Sequence, residues 1–161
     1  MKSAAQFSSD PKRIYRYALW RIWDEGLPLV MFIGLNPSTA DEVQDDATIS
    51  ACIRQAQSWK KYGGIVMANL FAYRDTNQAT IWQHPDPVGP ENDIWLTKLA
   101  AETGDVVAAW GNEGAWRNRS ANVARMIPNL YCLKMNISGE PHHPLYLPSN
   151  IRMIPYVRPA I

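Results

Sequence analysis

The chain has only two cysteines, Cys52 and Cys132, and neither belongs to a paired ligand motif. That argues against an iron–sulfur cluster or a cysteine-bound zinc. Both thiols lie in apolar stretches and read as buried. No apolar run approaches the roughly 18 residues of a membrane span, and no basic-then-apolar leader opens the sequence. No membrane partner is expected, and the expected location is cytoplasmic. Charge of either sign is nearly balanced, with 16 Lys and Arg against 15 Asp and Glu and a net charge of +1. Dedicated nucleic-acid binders are more basic, so any contact with DNA involves few phosphates. The three histidines, His84, His142 and His143, lack metal-ligand spacing. A metal-dependent hydrolase would have to combine them with Asp41, Asp45 and Asp46; no metal and no cofactor are expected. A nucleophile elbow, a Walker loop and a dinucleotide-binding glycine motif are all missing.

What is present fits one globular domain. The chain has 161 residues, 47% of them hydrophobic, enough for a real core. Seven Trp and seven Tyr fill that core for the most part, leaving a few to stack on a planar ligand. Basic residues cluster at Lys12, Arg13, Arg16 and Arg21, and again at Arg117, Arg119 and Arg125. Both clusters read as solvated faces.

Residues 1–10 are polar and expected to be loose. Ile14 to Trp23 mixes aromatic, aliphatic and basic residues; Tyr15, Tyr17, Leu19 and, less cleanly, Arg21 alternate with Arg16, Ala18 and Trp20, which predicts an N-terminal edge strand. Asp24-Glu25-Gly26 is a turn. Leu29 to Leu35 and Ile65 to Leu70 are continuous apolar runs, the pattern of strands buried on both faces. Between them, Asp45 or Asp46 can cap a helix whose apolar face is Ile49, Cys52, Ile53, Ala56 and Trp59, ending at Gly63-Gly64. A long loop runs to Gly89, and Pro90 suits the first turn of a second helix. Val106 to Trp110 is a third strand, Trp116 to Ile127 a third helix, and Leu130 to Leu133 a fourth strand. The proline-rich tail from Gly139 reads as coil, with 149–161 extended or loosely ordered. Alternating strands and helices predict a single α/β domain over 1–161: a three-layer α/β/α sandwich with a mainly parallel, four-stranded central sheet.

Ligands of such sheets bind at the carboxyl edge. That edge would gather Asn36, Asn69, the Gly111 turn and His143. In Gly34-Leu35-Asn36-Pro37-Ser38 a buried strand delivers an amide into a tight turn. The amide either holds a water, with the backbone N–H groups holding an anion, or simply satisfies the turn. Asn69 carries donors and an acceptor, and can read the edge of a pyrimidine or bond backbone. His143 precedes Pro144, which biases it to extended geometry; a neutral imidazole there can donate to developing negative charge. The acidic loop Asp41, Glu42, Asp45 and Asp46 either supplies a water-activating carboxylate or caps a helix. Gly111-Asn112-Glu113-Gly114 opens a helix that would hold a phosphate, against the charge of Glu113.

Two resemblances attach to these residues. Ile33-Gly34-Leu35-Asn36-Pro37-Ser38-Thr39-Ala40, Asn69-Leu70-Phe71-Ala72-Tyr73-Arg74, Val88-Gly89-Pro90-Glu91-Asn92-Asp93, Ala109-Trp110-Gly111 and His143-Pro144-Leu145-Tyr146 resemble, in order, the domain-of-unknown-function family 1643. That family brings no activity with it. More distantly, Gly34-Leu35-Asn36-Pro37, Asn69-Leu70, Val106 to Gly111 and His143-Pro144 are similar to motifs of the uracil-DNA glycosylase superfamily. That resemblance implies a glycosylase-like fold and a hydrolase of nucleobase N-glycosidic bonds, in DNA repair or modified-base metabolism. Asn36 would position water and His143 would support the departing base. Asn69 would read it, and Leu145 or Tyr146 would wedge into the duplex. Gly34, Leu35, Pro37, Ser38 and Gly111 would line the site, and Phe71 and Tyr73 are the aromatics available to stack. Ser38 stands where that superfamily has Gly, and Leu145 where it has Ser. The implied partner is a nucleobase-containing ligand, in DNA or as a nucleotide. A non-catalytic module that senses a nucleotide or modified base is the alternative.

Overall fold

The computed structural model describes residues 1–158. Its strands are β1 (Lys2–Phe7), β2 (Arg16–Ile22), β3 (Leu29–Gly34), β4 (Gly64–Asn69), β5 (Asp105–Ala108), β6 (Tyr131–Cys132) and β7 (Ile154–Pro155). Its helices are α1 (Ala47–Ser58), α2 (Gln78–Gln83), α3 (Asn92–Glu102) and α4 (Arg119–Met126), the last preceded by a 3-10 segment over Asn112–Asn118. The strands form one mixed sheet in the order β1-β2-β4-β3-β5-β6-β7. β4, β3, β5 and β6 run parallel; β1, β2 and β7 pair antiparallel to their neighbours.

The parallel centre follows from its composition. β3 and β4 are apolar almost throughout, so both faces can be covered. Successive side chains point to opposite faces. Met31 and Ile33 join Val66, Ala68, Val106 and Ala108 under Ile81, Leu96, Leu99 and Val123. Val30 and Phe32 join Ile65, Met67 and Val107 under Ile49, Cys52, Ile53 and Ala56. Helix α1 therefore covers one face, and α2, α3 and α4 cover the other. Each fully buried Val, Ile, Met or Phe contributes about 1.5–3 kcal/mol. Both cysteines are buried, as their apolar surroundings predict.

Several expectations need correction. The sheet has seven strands, of which the expected four form the parallel part. Segment 14–23 supplies β2, which is not an edge: it lies between β1 and β4. The edge is β1, drawn from the polar residues expected to be loose, because backbone pairing from Lys2↔Ile22 to Gln6↔Ala18 needs no apolar side chains. The first helix ends at Ser58, with Lys60 at φ 56°, before Gly63-Gly64 is reached. Gly63 and Gly64 instead let the chain approach Asp24 and Arg21 closely; a Cβ on Gly63 would fall 1.8 Å from the Asp24 carbonyl oxygen. The long loop to Gly89 contains α2, capped by the Asn77 side chain. In the tail, Ile154–Pro155 pairs with β6; residues 159–161 of that stretch lie outside the described residues.

Candidate functional site

The chain leaves β3 for α1 on one face, and leaves β5 for α4 on the other. Neighbouring strands whose exits diverge open a crevice at their carboxyl ends, where open α/β sheets bind ligands. A cavity of about 240 Å³ occupies this place. Its walls include Gly34, Leu35, Asn36, Ser38, Asn69, Gly111 and His143, all expected from the sequence. They also include Arg16, Asp46, Met67, Trp110 and Glu113.

Asn36 is half-buried two residues beyond β3. Its Nδ2 donates to the carbonyls of Pro37 (3.0 Å) and Asp75 (2.8 Å). Both partners are acceptors only, so the amide orientation is determined and Oδ1 is the end left to accept.

Asn69 ends β4 and is 2% exposed. Its Oδ1 accepts from the Arg16 guanidinium at 3.2 Å. Its Nδ2 lies where a Cβ on the facing Gly34 would come within 2.9 Å. Glycine at 34 thus makes room for the Asn69 amide. The strand end is braced from behind. Asn92 donates to the carbonyls of Asn69 (2.9 Å) and Leu70 (3.1 Å). Arg119 donates to the Leu70 carbonyl (2.9 Å) while pairing with Asp93 at 2.6 Å.

Strand β2 pins the loop between β3 and α1. Arg16 donates to the Ala40 carbonyl (3.1 Å). Arg21 pairs with Asp45 (2.8 Å) and donates to the carbonyls of Asp41 (2.5 Å) and Gln44 (3.2 Å). Asp46 is thereby set at the cavity, where its Oδ1 caps α1 by accepting from the Ile49 N–H (2.9 Å). Arg21 has its carboxylate. Arg16, 2% exposed, forms no ion pair among the described residues, and its Nε–H has no acceptor. Burial lowers its pKa to about 10; Asp46 favours the cation, while Arg74 and Arg21 oppose it. Burying a charge without a close counter-charge costs roughly several kcal/mol.

His143 is brought in by its own loop. The Gly111 N–H donates to the Pro141 carbonyl (3.0 Å), and the His142 N–H to that of Lys134 (2.8 Å). A Cβ on Gly111, itself at φ 78°, would lie 3.9 Å from that of His143. The Leu145 N–H donates to Nδ1 of His143 at 3.2 Å. An accepting Nδ1 leaves the ring proton on Nε2. Burial, then the neighbouring His142, pulls the pKa below its ordinary 6.5; Asp46 and Glu113 pull the other way. The ring is a neutral Nε2–H donor near pH 7.

The remaining expected residues lie elsewhere. Phe71 is fully buried against Trp82 and Trp116. Tyr73 stacks on His84, with centroids 4.1 Å apart. Pro37 is buried in the turn, Leu145 is half-buried, and Tyr146 is 99% exposed. None of these five is a wall of the cavity. Its aromatic wall is Trp110, whose indole face is covered by Gly114 and whose Nε1 donates to Glu140 (2.9 Å). Among the described residues, no three His, Cys, Asp or Glu side chains group as a metal site, and no helix is long and apolar enough to cross a membrane. Sequence reasoning missed Arg16, Met67, Trp110 and Glu113 as walls. A usable signal existed for Arg16, since an arginine between Tyr15 and Tyr17 at the start of a predicted strand is buried only where something engages its charge.

The chain belongs to the family described as protein of unknown function DUF1643, whose profile matches residues 16–145. No curated protein and no solved structure matches it.

Proposed function

We propose that the protein hydrolyses the N-glycosidic bond of a nucleobase, in DNA or in a nucleotide. The observation that carries the reading is that Asn36, Asn69 and His143, distant in sequence, line one cavity. Its volume, about 240 Å³, lies below the ~300–1,000 Å³ typical of drug-sized ligands, which suits a single heterocycle. Leu35, Met67, Ile49 and Trp110 offer it apolar walls. The three-layer, parallel-centred fold and the motif resemblance to the uracil-DNA glycosylase superfamily support the same reading.

The chemistry assigns each group one task. The base enters with its polar edge toward the Asn69 amide. The C–N bond breaks and its electron pair leaves with the base. The Nε2–H of His143 donates to an oxygen of the departing base as charge grows there, an electrostatic contribution available without reorganisation. A water accepted into place by Oδ1 of Asn36 forms the new bond to the sugar carbon. Its proton passes to the Asp46 oxygen that does not cap α1. For a duplex substrate the base must be flipped out of the stack. Tyr146, at φ 66° and 99% exposed, is three residues from His143 and available to fill the gap.

A second reading is favoured by one observation: both Asn36 amide protons are engaged in holding the turn. On that reading the cavity binds a nucleotide or modified base without turnover. The test is a panel of oligonucleotides carrying uracil, mismatched thymine and modified bases, together with free nucleotides. Free base by chromatography, and strand scission after alkali, are the expected products. Ligand-dependent thermal stabilisation without released base from any substrate supports the binding module and overturns hydrolysis.

A further inference from the structure

We propose that Arg16 makes the inner wall of the cavity an anion subsite, built for a ligand that carries negative charge on the edge facing Asn69. The guanidinium lines the cavity, is almost wholly buried, and has no carboxylate partner among the described residues. Its two hydrogen bonds go to neutral acceptors, the Ala40 carbonyl and Asn69 Oδ1. Its Nε–H goes to none. Arg21, five residues along the same strand and equally buried, shows how this fold treats a structural arginine: it supplies Asp45 and three carbonyls. A charge left without a counter-charge inside a protein is costly unless a ligand brings one.

Arg16 also acts on Asn69. By engaging Oδ1 it turns Nδ2 toward Gly34 at the cavity wall. The inner wall then donates, from the guanidinium and from the amide, and is matched by oxygen acceptors rather than by an amino group. The carboxylates of Asp46 and Glu113 also line the cavity, and Asp46 favours the Arg16 cation without pairing with it. This inference deepens the glycosidic reading and rests on it for one point, that the ligand is a heterocycle. In bond cleavage the electron pair of the C–N bond moves onto the base and spreads to its carbonyl oxygens. Arg16 would hold that charge until the proton taken up by Asp46 reaches the base.

The test compares two ligands of one shape, uracil and the more acidic 6-azauracil, at a pH where only the second is ionised. Calorimetry on the full chain should give roughly tenfold tighter binding of 6-azauracil. The preference should vanish in Arg16→Gln and persist in Arg16→Lys. Equal affinities, or a preference that survives Arg16→Gln, overturn the proposal. Should Arg16→Gln not fold by circular dichroism, Asn69→Asp places a carboxylate against the guanidinium and must abolish the preference; survival there overturns it equally. Nitrate, a planar oxyanion with no base to recognise, separates the two readings. Stabilisation by nitrate that depends on Arg16, with neither heterocycle bound, keeps the anion subsite and removes the nucleobase. No Arg16-dependent binding of either nitrate or 6-azauracil removes the subsite.

Discussion

Replacing Asn36 separates its two possible roles. Asn36→Ala deletes both donations, to Pro37 and to Asp75, in a half-buried turn. The Asp75 contact spans 39 residues and ties the turn to the next loop. Its loss leaves a carbonyl under-satisfied, costing about 1–2 kcal/mol. For a chain of this length that is a fall in Tm of about 2–8 °C. Asn36→Asp is worse, because a carboxylate then faces two carbonyl oxygens. The introduced carboxyl is favoured in its protonated form, so its folded pKa rises above the ordinary value of about 3.9. The folded state then binds more protons than the unfolded state between those two values. The extra deficit of Asn36→Asp over Asn36→Ala is therefore absent below about pH 3.9. It appears as pH rises through the folded pKa and stays constant above it. Differential scanning fluorimetry from pH 3.5 to 8 reads all of this. Turnover is measured well below both melting points, where Asn36→Ala should lose about 10²-fold through misplaced water. A wild-type Tm in Asn36→Ala refutes the geometry of the turn. A lowered Tm with wild-type turnover refutes the water-holding role and leaves a structural asparagine.

His143 makes the protein sensitive to acid. Its folded pKa lies below the unfolded 6.5, so its contribution to stability is complete above 6.5 and is lost as pH falls toward the folded value. Wild type should lose more Tm than His143→Gln between pH 7.5 and 5, and the acid limb of activity should have its midpoint below 6.5; equal slopes in both proteins would remove the half-buried neutral imidazole. Gly34→Ala sets a Cβ 2.6 Å from Cε of Met67 and 2.9 Å from Nδ2 of Asn69. Overpacking of this kind costs about 1–3 kcal/mol, and displacing the amide should weaken nucleobase binding more than an Asn36→Ala change does; a calorimetric affinity equal to wild type would show that Asn69 does not read the ligand.

The parts of the site that were legible share a local cause. Asn36, Asn69 and Gly111 each follow a short apolar run, and a run buried on both faces predicts a parallel strand whose carboxyl end faces the crevice. His143 was legible through the turn chemistry of His142-His143-Pro144. Phe71 and Tyr73 were read as available aromatics because they follow Asn69 closely, yet their surroundings are set by distant groups. Phe71 is held in the core by Trp82 and Trp116, and Tyr73 is taken by His84. Trp110 was counted with its strand, and only the Cβ-less Gly114 packed on its indole shows how closely the 3-10 segment is drawn to it.

Strand β2 explains the remaining error, and its two arginines are the reason. Alternation of Tyr15, Tyr17 and Leu19 with Arg16, Ala18 and Trp20 reads as one wet face and one dry face, hence an edge. Inside the sheet the same arginines need partners, and these come from residues 40–45 and 69, which no local pattern connects to them. Arg21 finds Asp45 and the backbone of the loop, so its burial is offset by an ion pair and three carbonyls, one of them that of Trp20. Arg16 finds only neutral oxygens. Both hold the loop, Arg16 at the Ala40 carbonyl, yet only Arg21 is matched by a carboxylate. The mismatch leaves a charge without an ion-pair partner at the cavity, beside the Asn69 amide. A strand misread as an edge is thus the element that connects the fold to the site: its pairing with β4 carries the sheet, and its first residue charges the pocket.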